Sequence, residues 1–80
     1  MTSMDEAEDV TVESIYEALD RRDPEAALEL ALGAIQQDDA DPVLHFLAGV
    51  ALLELDRPEQ AVSRLRRAVE LDPEEPEFRA

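Results

Sequence analysis

Apolar residues recur at helical spacing along four stretches of this chain, and short polar turns marked by proline separate them. Val12, Ile15, Tyr16 and Leu19 fall three and four apart, with Glu13, Glu17 and Asp20 between them, which predicts an amphipathic helix over 10–20. Arg21-Arg22-Asp23 turns the chain, and two arginines suit the negative end of a helix macrodipole. Asp23-Pro24-Glu25 starts a second helix: Asp accepts from free backbone N–H groups, Pro fits the first turn, and Glu favours the positive end. This helix is expected to run to about Gln37 and carries Ala26, Ala27, Leu30, Ala31, Ala34 and Ile35. Gly33 inside it costs up to about 1 kcal/mol relative to Ala, tolerable if another backbone approaches there. Asp38 to Pro42 form the next turn and cap, and Pro42 to Leu55 the third helix. Asp56-Arg57-Pro58-Glu59 starts a fourth, reaching about Leu71, with Ala61, Val62, Leu65, Ala68 and Val69 on one face. Asp72-Pro73 closes it, and Glu75-Pro76-Glu77 repeats the starter signal.

The third stretch organises the rest. Between Asp41 and Glu54 there is no formal charge, in a chain that is 35% charged. A helix apolar on every side must be covered on every side. It is too short to cross a bilayer, which takes about 20 apolar residues, so protein is expected to surround it. Helical spacing assigns Leu44, Ala48, Ala51 and Leu52 to the core. Phe46, Val50 and Leu53 divide between core and interface. Burying those three is worth roughly 4–9 kcal/mol before the entropy cost of association.

The prolines at 24, 42, 58 and 76 carry a repeat, because 58 − 24 and 76 − 42 both equal 34. Other positions keep the shift: Leu19 with Leu53, Glu25 with Glu59, Ala27 with Ala61, Ala34 with Ala68, Ile35 with Val69, Asp38 with Asp72. A helix–turn–helix period of about 34 residues is that of a tetratricopeptide unit. The second unit resembles that family in its residues: His45, Ala48-Gly49, Leu52, Ala61, Leu65, Ala68 and Leu71-Asp72-Pro73 stand along the family's pattern of large, small and closing positions. His45, Leu52 and Leu65 stand where the family often has aromatics. Gly49, Ala61 and Ala68 let two helices pack closely, and Leu52 and Leu65 fill the seam. The first unit is more degraded: Ala27 and Ala34 match, whereas Thr11, Ser14 and Ile15 replace the large residue, Leu and Gly, and Asp39 replaces the closing proline.

The resemblance implies an all-α fold of four helices, two stacked helix–turn–helix hairpins in a short α-solenoid. Residues 10–75 form the domain, with units of about 8–41 and 42–75; residues 1–9 are read as an acidic flexible tail and 76–80 as the start of a truncated next helix. Ser3 with Glu6 offers a weak capping box at the front. In the family the first helix of each unit lines a concave groove that takes peptides or helices. That would place Val12, Tyr16 and Leu19 from the first unit and Val43, Phe46, Val50 and Leu53 from the second on an apolar floor, with Glu13, Asp20 and Glu54 at its edges. Some family members grip a terminal carboxylate with Lys, Arg and Asn on those helices. With neither Lys nor Asn, this chain points instead to an apolar or amphipathic protein segment, with basic flanks to match the rim. Solenoids usually need about three units, so two and a fragment imply either association with a second copy or a longer protein. In the second case the chain would be the N-terminal accessory region of an enzyme whose catalytic domain lies beyond Ala80.

Composition narrows the remaining chemistry. The 80 residues carry a formal net charge of −14, which repels phosphate backbones and anionic lipid surfaces, so neither nucleic acid nor membrane is an expected partner. There is no cysteine, hence no disulfide, thiolate site or thiol nucleophile. The first residues are acidic and lack the basic start and apolar run of a secretory signal, so a cytoplasmic location is expected. His45 is the single histidine and reads as a packed or edge residue. The carboxylate runs 38–41 and 72–75 lack the bent glycine loop of a calcium site and read as caps and turns. Arg57, Arg64, Arg66 and Arg67 form a basic zone in which Arg66 or Arg67 can pair with Glu70 along a solvated face. Glu17 and Asp20 are accompanied by no nucleophile or phosphate loop, so no catalytic residue and no cofactor are expected.

Overall fold

A computed structural model describes residues 4–74, with side chains from Val12 onward. It holds four α-helices and, among the described residues, no strand: α1 Met4–Asp20, α2 Pro24–Gln37, α3 Pro42–Glu54 and α4 Pro58–Leu71. Each of the last three begins with its proline at the first helical position. A proline there gives up an N–H that has no partner anyway. Asp23 accepts from the Ala26 amide at 3.2 Å and Asp41 from the Val43 amide at 3.0 Å. Arg57 stands at the same place before α4 and supplies no side-chain cap.

α1 begins earlier than its apolar periodicity suggests. Its backbone is helical from Met4, so residues 4–9, read from sequence as a tail, lie in the helix. Ser3 of the capping box and the helix start at 76–80 lie outside the described residues.

The two hairpin turns are copies of one another. The Asp23 amide donates to the Ala18 carbonyl at 2.9 Å and the Arg22 amide to that of Leu19 at 3.1 Å. At the equivalent positions of the second unit, Arg57 donates to Leu52 at 2.9 Å and Asp56 to Leu53 at 3.0 Å. Arg22 and Asp56 both take the left-handed conformation, with φ of 63° and 61°. Together these are the bonds and the backbone of a Schellman cap, which ends a helix while satisfying its last carbonyls. The repeat read from proline spacing is therefore present in the backbone itself.

Packing follows chain order: α1 lies against α2, α2 against α3, and α3 against α4, while α1 also touches α3. The core consists of Ile15 and Ala18 of α1, Ala27, Leu28, Ala31 and Ile35 of α2, Leu44, Leu47, Ala48, Ala51 and Leu52 of α3, and Ala61 of α4. Half of these residues are alanines, so the helices approach closely. Gly49 shows how closely: a Cβ built on it would lie 2.6 Å from a methyl group of Leu65. Gly33 is the opposite case. No atom lies within 4 Å of where its Cβ would be, so the close backbone approach considered from sequence does not occur among the described residues.

Candidate functional site

The third helix is covered on most of its circumference. Leu44, His45, Leu47, Ala48, Gly49, Ala51 and Leu52 are buried. Between the terminal Pro42 and Glu54, the remainder is a strip made of Val43, Phe46 and Val50, half-buried, and Leu53, which is 51% exposed. At about 100° per residue these four fall within about 80° of arc. A helix with no apolar-free side thus keeps one apolar sector open to solvent. Phe46 and Val43 also pack against the core from that sector.

On α1, Val12 and Leu19 are half-buried against the core and Tyr16 is 51% exposed. Because α1 touches α3, all seven residues named from sequence sit on neighbouring helices. They are not equal: Tyr16 and Leu53 are the open ones, and the others offer only part of their surface. Glu13, Asp20 and Glu54 are exposed.

His45 is 4% exposed and serves architecture. Its Nε2–H donates to the Asp39 carbonyl at 2.8 Å, which leaves Nδ1 to accept from Arg64 Nη1 at 3.4 Å. The ring thereby ties the turn before α3 to the middle of α4. Arg64 is consequently half-buried rather than part of a solvated basic face, whereas Arg57, Arg66 and Arg67 are exposed. Arg67 pairs with Glu70 at 3.5 Å on the surface. The carboxylates of the 38–41 run act locally, Asp38 accepting from the Ala40 amide and Asp41 capping α3.

Three apolar features escaped the sequence reading. Leu30 and Val62 are 40% and 49% exposed, although both lie in helical apolar patterns. Val62 was expected to share a packed face with Ala61 and Ala68. Those alanines are buried against α3, but the Val62 side of α4 has no helix over it among the described residues. The third feature is a cleft of about 310 Å³ between α2 and α4. Leu28, Leu32 and Leu52 form its apolar part, and Gln60, Ser63, Arg64 and Arg67 its polar wall. Only knowledge of which helices leave a gap could have revealed it, since its residues are spread over three helices.

A family model described as tetratricopeptide repeat matches residues 18–80. The chain belongs to the tetratricopeptide repeat family. The helical hairpins and the 34-residue turn geometry are those of such a repeat, and the family's general role is protein–protein interaction without catalysis. No match was found among the curated proteins or the solved structures. Among the described residues no helix is long and apolar enough to cross a membrane.

Proposed function

We propose that this tetratricopeptide repeat chain binds an apolar or amphipathic segment, from a partner protein or a second copy of itself, along the face made by α1 and α3. The observation that carries this reading is the open sector of α3, with Val50 and Phe46 half-buried at its middle and Leu53, 51% exposed, at its edge. Tyr16, on a helix that touches α3, is 51% exposed as well. The partial burial of Phe46 and Val50 leaves about half the 4–9 kcal/mol that the three side chains would give if fully exposed beforehand. That suffices for a reversible contact. Glu13, Asp20 and Glu54 are exposed on the same two helices, so on this reading basic residues flanking the bound segment would bias its orientation.

Leu53→Asp is the sharper test, because Leu53 lies outside the packed core while Phe46 does not. Sedimentation equilibrium of the 80-residue chain over a wide concentration range reads self-association, and helicity is followed in parallel. Leu53→Asp is expected to weaken association about tenfold or more with unchanged helicity. Phe46→Asp is expected to weaken it as well and to lower the melting temperature. If association is equally strong in Leu53→Asp, this face is not the contact.

A further inference from the structure

The cleft between α2 and α4 lies on a different side of α3 from the sector proposed above. Leu52, which contributes to it, is about 140° around the helix from the middle of that sector. Two observations set it apart from an ordinary surface dent. Its apolar part comes from three leucines on two helices, so an entering side chain would meet carbon on more than one side. Its polar wall carries two arginines in a chain whose net charge is −14.

Arg64 is the more informative of these. It is half-buried, yet among the described residues no carboxylate lies within ion-pair distance of it; its hydrogen bond goes to a neutral imidazole nitrogen at 3.4 Å. A guanidinium has five N–H donors, and no buried one is left without a partner, so those not bonded to His45 face the solvent side of the cleft and are open to an incoming acceptor. Arg67 stands one turn away, and its contact with Glu70 is an exposed pair that solvent already weakens. Arg64 thus offers guanidinium donors that no carboxylate among the described residues takes.

We propose that the α2–α4 cleft is a second docking site, and that its occupant is an acidic amphipathic peptide segment of a partner protein: a Leu-sized apolar side chain held by Leu28, Leu32 and Leu52, with an adjacent carboxylate on Arg64 and Arg67. The charge selects for this occupant. Elsewhere the surface is dominated by carboxylates and repels an acidic segment, so the arginine wall would set its position as well as its affinity. The cleft volume accommodates one or two aliphatic side chains, which matches a short linear segment. This site is independent of the α1–α3 face, and the two ask for opposite flanking charge.

The test uses the whole chain, isotope-labelled, titrated with the peptide acetyl-Glu-Leu-Glu-Glu-Leu-Glu-amide and with its analogue in which every Glu is Gln. Saturable amide shifts are expected around Leu28, Leu32, Ser63 and Arg67. The Gln analogue is expected to bind at least tenfold more weakly, and added salt to weaken the acidic peptide. Arg64→Gln is expected to lose most of the binding. Since that change also removes a bond to His45, Ser63→Glu serves as the second variant: Ser63 is exposed on α4, so the fold is retained while the acidic peptide is repelled. No saturable shift, equal binding of the Gln analogue, unchanged binding by Ser63→Glu, or shifts centred on Tyr16 and Leu53 would each overturn the proposal. Shifts of Leu28, Leu32, Ser63 and Arg67 that appear with protein concentration alone, in the Leu53→Asp chain as well, would assign the cleft to a second copy and overturn it too. Leu53→Asp leaves the cleft intact, so loss of the α1–α3 contact and loss of this one are read separately.

Discussion

At the scale of single residues, the two glycines have opposite roles. Gly49 is buried under Leu65, and any side chain there must displace a side chain already packed on it. Gly49→Ala therefore gains helix propensity but overpacks the α3–α4 seam, and the second effect is the larger. It is expected to destabilise by about 1–2 kcal/mol net. Gly33 is exposed with open space around it, so Gly33→Ala keeps only the propensity gain and is expected to stabilise by up to about 1 kcal/mol. Urea unfolding of the two variants measures both, and the pair of signs is the result to look for. The role of Gly49 was legible in the sequence because the repeat pattern asks for a small residue there. Nothing in the sequence distinguished Gly33 as idle, since whether a neighbour approaches depends on a helix packed elsewhere.

At the scale of helices, what could be read was the punctuation. Pro24, Pro42 and Pro58 mark their first residues correctly because a proline is tolerated there and not a turn later. α1 has no such mark, and its first turns are acidic without apolar periodicity, so its start at Met4 was not legible. The repeat also exposes an inequality between the units. Asp23 caps α2, while Arg57, in the same backbone conformation, leaves the start of α4 without a side-chain acceptor. Arg57→Asp places a carboxylate where the first unit has one and removes a cation from the positive end of a helix dipole. It is expected to stabilise by about 1 kcal/mol, seen as a higher urea midpoint at constant slope.

At the scale of the molecule, charge opposes compactness. A net charge of −14 on 80 residues stores self-repulsion, and the exposed Arg67–Glu70 pair offsets little of it. Raising salt screens the repulsion more than it weakens that pair, so the melting temperature is expected to rise by several degrees between dilute buffer and about 0.5 M NaCl. A fall would mean that attractive pairs dominate. The family and the four-helix architecture were legible at this scale, because a 34-residue spacing of helix starts leaves few alternatives. The division of the seven residues named from sequence into open and packed was not, since it depends on which side of α3 the neighbouring helices leave bare. The chain-order packing has a further consequence, for synthesis. Each helix finds its main neighbour in the segment made just before it, so the protein can assemble as it leaves the ribosome, hairpin by hairpin. The exception is α3, whose buried positions include Gly49 beneath Leu65 of α4. A nascent chain that has reached Leu55 but not Leu65 carries the most apolar helix with one wall missing. That interval, of about one second at ordinary elongation rates, is when the chain is most open to capture by a chaperone or by a premature partner.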